Sequence, residues 1–344
     1  MESSIVNRDN ILNEKKYFWS PGVRWEKIND TLKIEIFTYR ENFAELFPKF
    51  YYIVQKGADI NKLLEEFSDV EPRVLNAFVT DLIKKRVLVS TIISPQEAFY
   101  PQSYLFKNEY SEKIRYDAEE LNKFKKKQLN RNLHSDAEAK IPLENCKMPY
   151  DIDNRRTYRS FDQTKKISFT SLSCLLSVFK QIRDGDSIRY YYASAGGLYP
   201  IDIFVYIKKD RIDGFEQGLY YYNPIQNDLR LVDQSFVIPK EAHYFTNQSI
   251  FNDSAMSIFF IYNAEATMPK YGGMGYFYSA IDCGIMVSSL TTVAEIQGIG
   301  VCSIGEMDFN KISKFFKLND NQVFIHTVEV GLKPVEEDKR TFNY

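Results

Sequence analysis

A lysine and a tyrosine stand side by side at Lys270-Tyr271, immediately before two glycines. A lysine amine acts as a base when it is removed from water, and a neighbouring phenol donates or relays a proton. Because the chain holds 24 tyrosines, an exposed lysine beside a packing tyrosine explains the same pair. The pair is therefore a candidate for proton transfer, and both interpretations stay open on these two residues alone.

A cluster of basic residues precedes a predicted helix, in the segment Arg155-Arg156-Thr157-Tyr158-Arg159. Closely spaced guanidinium groups bind a phosphate through paired hydrogen bonds, and the threonine hydroxyl adds another donor. The same residues are equally typical of ion pairs at a protein surface. The segment therefore indicates either a phosphate site or an exposed cluster of ion pairs.

Small residues form the loop Ala193-Ser194-Ala195-Gly196-Gly197, which leads into a predicted strand. Without side chains in the way, the backbone of such a loop approaches a planar ring or a phosphate closely. The glycines do not follow the G-x-G-x-x-G order of dinucleotide-binding loops, and the lysine of a P-loop is missing. A tight turn explains the glycines nearly as well as a ligand does.

The composition narrows the possible chemistry. The 344 residues include 44 Lys and Arg against 46 Asp and Glu, so no basic field would attract nucleic acid. The 4 cysteines are scattered and the 3 histidines are isolated, which leaves no zinc pattern and no hydrolytic triad. We expect no metal site, and if the protein is an enzyme, a cofactor carries the chemistry.

Neither a targeting segment nor a membrane span is predicted. The first residues, Met1-Glu2-Ser3-Ser4-Ile5, do not form the basic segment followed by an apolar one that opens a secretory signal. No apolar run reaches the roughly 18 residues that a membrane span needs. We therefore expect a cytoplasmic protein with free thiols and no membrane partner.

The first third of the chain has the order of a winged helix-turn-helix module. The residue patterns predict a strand over 32–36, a helix over 42–55, a short helix capped by Asp59, a helix from Pro72 and a strand over 87–90. Basic residues lie mostly at the ends of the third helix, which favours a docking or structural role over DNA binding. We assign this winged-helix-like domain to residues 1–105.

The remaining residues are predicted to form a charged helical linker over 106–150 and a second domain over 151–344. In the linker, the basic run at 123–127 is either a recognition patch or the solvated face of a helix. The second domain combines helices with a largely antiparallel sheet, an α+β plan. Its patterns predict a helix capped by Ser168, strands over 201–207, 218–222, 229–232 and 256–262, a long helix over 276–297 and a strand over 323–331.

Five motifs, found together in this order, indicate a protein family more specifically than any one of them does. They are Arg155-Arg156-Thr157-x-Arg159-x-Phe161, Ser194-Ala195-Gly196-Gly197-Leu198-Tyr199-Pro200, Gly218-Leu219-Tyr220-Tyr221-Tyr222-Asn223-Pro224, Lys270-Tyr271-Gly272 and Gly298-Ile299-Gly300-Val301-Cys302-Ser303-Ile304-Gly305. Over residues 151–335 the chain resembles the nitroreductase-fold flavoproteins of the SagB/thiazoline-oxidase (ThcOx) type. These azoline dehydrogenases include stand-alone tailoring oxidases of nonribosomal peptide synthetases.

The resemblance implies a nitroreductase-like three-layer α+β fold and a homodimer that holds one FMN per subunit. By position, the FMN phosphate and ribityl chain would be held by Arg155, Arg156, Thr157 and Arg159. The flavin would be lined from the partner subunit by Ser194, Ala195 and Gly197, and its ring would contact the backbone of Ile304 and Gly305. Lys339-Arg340 is the nearest match to a basic pair that reaches the phosphate in related proteins.

The resemblance also implies an activity. Lys270-Tyr271 matches a pair associated with oxidising thiazolines or oxazolines to thiazoles or oxazoles, on peptides tethered to a carrier protein or a leader peptide. Thr157 stands where serine is common, and Asp282 stands where the long helix often has glutamate, which puts a charge-specific role there in doubt. The alternatives are an NAD(P)H-dependent nitro- or quinone reductase and a non-enzymatic scaffold that binds peptide or DNA.

Overall fold

The computed structural model describes residues 15–40, 42–107, 111–133 and 135–334, without the side chains of Arg40, Asn42 and Thr246. The chain divides into two compact units. The first ends at Leu105 and also includes Asn263–Glu265 and Leu318–Phe324. The residues of the predicted linker, 106–150, fall in the second unit, and the division into three parts stays a prediction.

Four helices and short antiparallel strands build the described part of the first unit. Its elements are β1 (Phe18–Trp19), β2 (Trp25–Ile28), β3 (Thr31–Ile34), β4 (Phe37–Arg40), α1 (Asn42–Gln55), α2 (Ile60–Glu66), α3 (Pro72–Lys84), β5 (Leu88–Val89) and α4 (Pro95–Phe99). Asp59 caps α2 by accepting a hydrogen bond from the Lys62 N–H at 2.8 Å, and Pro72 begins α3. The three predicted helices are confirmed, and their apolar faces form one buried core.

The predicted strand over 32–36 is wrong at its end. β3 stops at Ile34 because the chain turns at Glu35, whose φ is 51°. The Glu35 carboxylate accepts a hydrogen bond from the Arg24 N–H at 2.6 Å, and the Glu35 N–H donates to the Arg24 carbonyl at 3.0 Å. The strands β2, β3 and β4 therefore form a small sheet that precedes the three helices.

The second unit is built on a sheet of six strands in the order β10-β9-β8-β11-β13-β12. Its helices are α5 (Ala118–Leu129), α6 (Tyr150–Asp153), α7 (Phe169–Leu176), α8 (Phe245–Asp253), α9 (Met268–Tyr271) and α10 (Met274–Ile296). Its strands are β6 (Ile182–Asp184), β7 (Ser187–Arg189), β8 (Ile201–Ile207), β9 (Gly218–Asn223), β10 (Asp228–Asp233), β11 (Met256–Asn263), β12 (Ile299–Ile304) and β13 (Gln322–Leu332). The pairs β10–β9, β9–β8, β8–β11 and β12–β13 are antiparallel, so the α+β plan is confirmed. β12 and α8 were not predicted.

The long helix α10 crosses the sheet and packs on β8 and β12. Among the described residues it alone is long and apolar enough to span a membrane, with a mean hydropathy of 1.3, a test that core helices of soluble proteins also pass. It buries the carboxylates of Asp282 and Glu295, and both bond to other parts of the unit. This face belongs to the core of the unit, while Phe277, Ile281 and Ile285 on another face are exposed.

A polar cluster is buried in the sheet. The Glu329 carboxylate is fully buried and lies 2.5 Å from the Ser254 hydroxyl and 2.8 Å from the Ser257 hydroxyl. Burial raises the pKa of Glu329, so the neutral acid is favoured. His243 lies 3.7 Å from it, but burial and the Lys208 charge lower the pKa of His243 to about 4. The imidazole is therefore uncharged at neutral pH, and this contact is not an ion pair.

We expect His243 to weaken the fold in acid. The unfolded imidazole binds a proton near its ordinary pKa of 6.5 and the folded one near about 4, so stability is lost as the pH falls between these values. The loss from this one group is about 3 kcal/mol. Urea unfolding at several pH values measures it, and His243→Leu should flatten this part of the curve. Parallel curves for the two proteins would contradict the assignment.

Candidate functional site

The Lys270-Tyr271 pair lies on α9, a single helical turn anchored to the end of β11. The N–H groups of Lys270 and Tyr271 donate to the Thr267 carbonyl at 3.1 and 2.9 Å. Thr267 is itself buried, and its hydroxyl lies 2.8 Å from the hydroxyl of Tyr262 on β11. The pair is therefore fixed to the sheet through one threonine, although α9 has only one turn.

The two side chains of the pair differ in exposure. Lys270 is exposed, and its Nζ lies 4.9 Å from the centroid of the Tyr271 ring. Tyr271 is half-buried, and its ring stands edge-on to Tyr278 with 5.4 Å between centroids. The Tyr271 ring is therefore fixed by packing, whereas the Lys270 amine beside it is accessible to a ligand.

The small-residue loop meets this pair in space. Gly196 has a φ of 65°, in the left-handed region that favours glycine. A Cβ atom there would collide with the Tyr271 hydroxyl and stand 2.9 Å from Lys270 Nζ. Gly197 has a φ of 66°, yet a Cβ there would meet nothing within 4 Å. The structure therefore brings together the loop and the Lys270-Tyr271 pair, and it leaves the Gly197 edge open.

The carboxylate of Asp282 on α10 holds the loop. Asp282 is 3% exposed, and its Oδ2 accepts a hydrogen bond from the Ser194 hydroxyl at 2.6 Å. The Ala195 N–H donates to the same carboxylate at 3.2 Å. The Ser194 hydroxyl also accepts from the Tyr199 N–H at 2.9 Å. Through Ser194, Asp282 therefore holds the two ends of the loop together. It thereby fixes the position at which Gly196 contacts the Lys270-Tyr271 pair.

The arginine segment lies along β12 and β13. The Tyr158 N–H donates to the Val301 carbonyl at 3.1 Å. A Cβ at Gly300 would stand 2.8 Å from Tyr158, and one at Gly331 would stand 2.6 Å from the ring of Phe161. Glycines in these two strands therefore let the aromatic residues of the segment pack inward. The predicted phosphate ligands of the segment are exposed: Arg155, Arg156, Thr157 and Arg159.

The loop and the arginine segment are anchored on opposite halves of α10. Asp282 holds the loop, whereas Glu295 accepts from Lys333 Nζ at 2.5 Å. Lys333 Nζ lies over the Tyr158 ring, 5.3 Å from its centroid. Thirteen residues separate the two carboxylates, roughly 20 Å along a helix. One chain therefore presents the predicted site residues as two groups rather than as one cluster.

The other predicted residues lie at the end of β12 and beyond the described part of the chain. Ile304 is buried, and its side chain packs with Phe161 and Cys302. Gly305 is exposed, and a Cβ there would meet nothing within 4 Å. An approaching ligand would therefore meet backbone at Gly305. Lys339 and Arg340 lie outside the described residues, so their predicted contact with a phosphate stays a prediction.

Two residues that position the site were missed or discounted in the sequence. Asp282 departs from the family pattern, yet an acidic residue inside an apolar helical run indicates a buried hydrogen-bonding partner. Thr267 gave no signal, because its contact with Tyr262 depends on where β11 ends. The Ser194 hydroxyl points to Asp282, so its predicted role beside a flavin would fall to its backbone.

Comparisons with known proteins agree on the fold. A model described as Nitroreductase family matches residues 152–332. A nitroreductase-like protein of Methanocaldococcus jannaschii is 24% identical over 194 residues, covering 56% of this chain and 95% of that protein. A chain of the E. coli microcin synthetase McbBCD complex, solved with truncated pro-MccB17 bound, has a TM-score of 0.50 and 19% identity, covering 78% of this chain and 96% of that chain. The family match and this structure confirm the predicted nitroreductase-like fold.

We expect Asp282→Asn to loosen the loop. The asparagine amide has one acceptor oxygen, whereas the carboxylate has two, and both carry charge. A hydrogen bond to Ser194 or Ala195 is therefore lost, which lowers the free energy of unfolding by about 2 kcal/mol. Urea unfolding of Asp282→Asn, Ser194→Ala and the double variant measures the coupling between the two side chains. A shared hydrogen bond predicts that the double variant loses less than the sum of the single losses. A loss in the double variant equal to the sum of the two single losses would contradict the shared hydrogen bond.

Proposed function

The chain belongs to the nitroreductase family, whose members are oxidoreductases, and on this premise we propose that it oxidises thiazolines or oxazolines in peptides to thiazoles or oxazoles. The observation that supports this proposal is the contact between the Gly196 backbone and the Lys270-Tyr271 pair. It sets an exposed amine and a packed phenol at the edge of an open glycine loop. An amine can act as a general base there, and a phenol beside it can donate or relay a proton.

FMN is the proposed cofactor, and the donor set fits it. The exposed side chains of Arg155, Arg156, Thr157 and Arg159 offer guanidinium and hydroxyl groups suited to a phosphate. A flat ring would meet open backbone, because a Cβ at Gly197 or Gly305 would have nothing within 4 Å. When bound, FMN supplies a two-electron acceptor that dioxygen reoxidises.

The protein residues would handle the proton. In an azoline built from cysteine or serine, the hydrogen on the α-carbon is acidified by the adjacent C=N bond and carbonyl group. We assign its removal to the Lys270 amine, which is exposed in the chain alone and would be removed from water by the bound ring. The Tyr271 hydroxyl would donate or relay a proton beside it. The ring loses two hydrogens in all and becomes aromatic. The Gly196 loop lies against both side chains before the substrate arrives.

We propose a homodimer, supported by the outer face of α10. Met274, Phe277, Ile281 and Ile285 are 50, 47, 47 and 36% exposed and recur at the spacing of one helical face. A second copy of this chain would cover that stripe and bring its loop to the first chain's arginine segment. Sedimentation velocity of the purified protein tests this proposal, and a monomer at micromolar concentration would contradict it.

We propose that the substrate is a peptide, delivered by a carrier protein or a leader peptide. The E. coli complex of similar fold was solved with truncated pro-MccB17 bound, which is a property of that complex. For the present chain, the exposed position of Lys270 supports a substrate that arrives from outside on a larger molecule. The first unit is the proposed docking module for that molecule.

Lys270→Ala should abolish azole formation while the purified protein stays yellow, because the substitution removes the base and leaves the proposed FMN ligands in place. The fall in kcat should be about 100-fold or more, the usual contribution of a general base. Mass spectrometry of an azoline peptide detects the loss of two hydrogens, and an absorbance spectrum reports the flavin. Lys311→Ala, which changes an exposed lysine elsewhere in the unit, is the matched control.

Three outcomes would overturn the proposed function. Unchanged turnover in Lys270→Ala would remove the assigned base. Rapid bleaching of the flavin by NADPH, with no change in the azoline peptide, would favour a nitro- or quinone reductase. A colourless protein with no turnover would favour a scaffold.

Gly196→Ala and Gly197→Ala separate the contact with the pair from backbone strain. Both glycines have a left-handed φ, so each substitution carries a similar strain of about 1 kcal/mol. Only the Cβ at position 196 meets Tyr271 and Lys270. We therefore expect kcat for azole formation to fall at least about tenfold more in Gly196→Ala than in Gly197→Ala. Equal losses in the two variants would show that the contact does not matter for turnover.

A further inference from the structure

A cavity of about 170 Å³ lies beside the small-residue loop in the second unit. Six of its lining side chains are aromatic: Phe179, Tyr190, Tyr192, Tyr199, Tyr221 and Tyr222. The one charged residue in its described lining is Asp202. A cavity of this volume holds about five waters, or the end of one amino-acid side chain.

The aromatic walls are fixed by contacts between the rings. The centroids of Tyr190 and Tyr199 are 4.0 Å apart, and Tyr192 meets Tyr199 edge-on at 5.8 Å. The Tyr222 hydroxyl donates to Asn227 Oδ1 at 2.6 Å, which orients that phenol. Burial raises the pKa of Tyr221 to about 12 and that of Tyr192 further, so these phenols stay neutral. The walls therefore offer π faces and hydroxyl oxygens without a formal charge.

Asp202 supplies the formal charge of the cavity. It is half-buried near the start of β8, and its negative charge contributes to the raised pKa of both Tyr190 and Tyr221. On β10, which pairs with β9, the guanidinium of Arg230 is paired with Asp228 at 3.1 Å, and its charge acts on Tyr221 against the effect of Asp202. The cavity thus joins one carboxylate to several electron-rich rings, which is an environment that repels anions.

We propose that this cavity binds a cationic group, the ammonium or guanidinium at the end of a peptide side chain. Aromatic faces attract cations through the ring quadrupole, and the attraction grows when water is excluded. A carboxylate beside the rings adds a charge-assisted hydrogen bond. A lysine or arginine side chain places such a cation at the end of a thin apolar stem, which fits a narrow opening between rings.

The position of the cavity connects it to the proposed reaction, on which this part of the inference rests. Tyr199 lines the cavity and is three residues from Gly196, at most about 10 Å along the chain. Gly196 contacts the Lys270-Tyr271 pair. A peptide whose azoline lies at that pair therefore places a nearby side chain at the cavity. We infer that the protein selects azoline peptides with a basic residue close to the ring.

Binding is tested first, without turnover. Calorimetry of the full-length yellow protein compares N-acetyl-lysine methylamide with its norleucine analogue, which has the same stem and no charge. We expect the lysine compound to bind at least about tenfold more tightly, and Asp202→Asn to remove that difference. Asp228→Asn, which changes a carboxylate outside the cavity lining, should retain it. Competition by tetramethylammonium in the unaltered protein gives a second measurement that needs no variant.

Turnover is tested second, with azoline peptides that carry lysine, arginine, norleucine or glutamate beside the ring. The inference predicts a higher kcat/KM for the two basic peptides and equal values for lysine and norleucine in Asp202→Asn. Equal binding of the lysine and norleucine compounds by the unaltered protein would overturn the cation site, even if azoles form. Selective binding of the lysine compound with no azole from any peptide would overturn the proposed function and leave the cation site standing.

Discussion

The buried carboxylate of Asp282 is the interaction on which the proposed site depends. A charge removed from water is costly unless hydrogen bonds replace its hydration, and here the Ser194 hydroxyl and the Ala195 N–H replace it. The same bonds hold the backbone through Gly196 and into Tyr199, whose φ of 47° is unfavourable for a bulky side chain. A charge inside one helix therefore fixes an exposed loop, and the loop fixes the edge that meets Lys270-Tyr271.

Close approach of backbone to side chain serves the same purpose at the arginine segment. Gly300 and Gly331 have no side chains where Tyr158 and Phe161 lie on the sheet, so the segment follows β12 and β13 closely. Arg159, between these two anchors, and Arg155 and Arg156, just before Tyr158, are exposed. In both places, unreactive packing residues determine the positions of the reactive side chains. A loss of packing would therefore first displace the side chains that face the ligand.

Local patterns in the sequence predicted local structure well. The helix over 42–55 and the strand over 201–207 agree with α1 and β8, because apolar spacing and capping residues such as Asp59 act within a few residues. The turn at Glu35 was missed because a hydrogen bond with Arg24 overrides a strand-like pattern. The contact of Gly196 with Tyr271 was not predictable from spacing, since only the packing of α10 on the sheet brings those segments together. The arginine segment was open to two interpretations, a phosphate site or surface ion pairs, because its surroundings also depend on packing between distant segments.

The placement of the two groups on α10 is consistent with the proposed homodimer. The helix holds the loop through Asp282 in its first half and the arginine segment through Glu295 at its far end, and these two anchors are roughly 20 Å apart, too far for one phosphate to contact both. A second α10 packed in the opposite direction would set the first half of one helix beside the second half of the other. Because a two-fold axis repeats every contact, that arrangement completes two equal sites at once. Three residues of the exposed apolar stripe, Met274, Phe277 and Ile281, precede Asp282 on the same helix, and Ile285 follows it, so a second copy that covers the stripe would lie against the half of the helix that holds the loop.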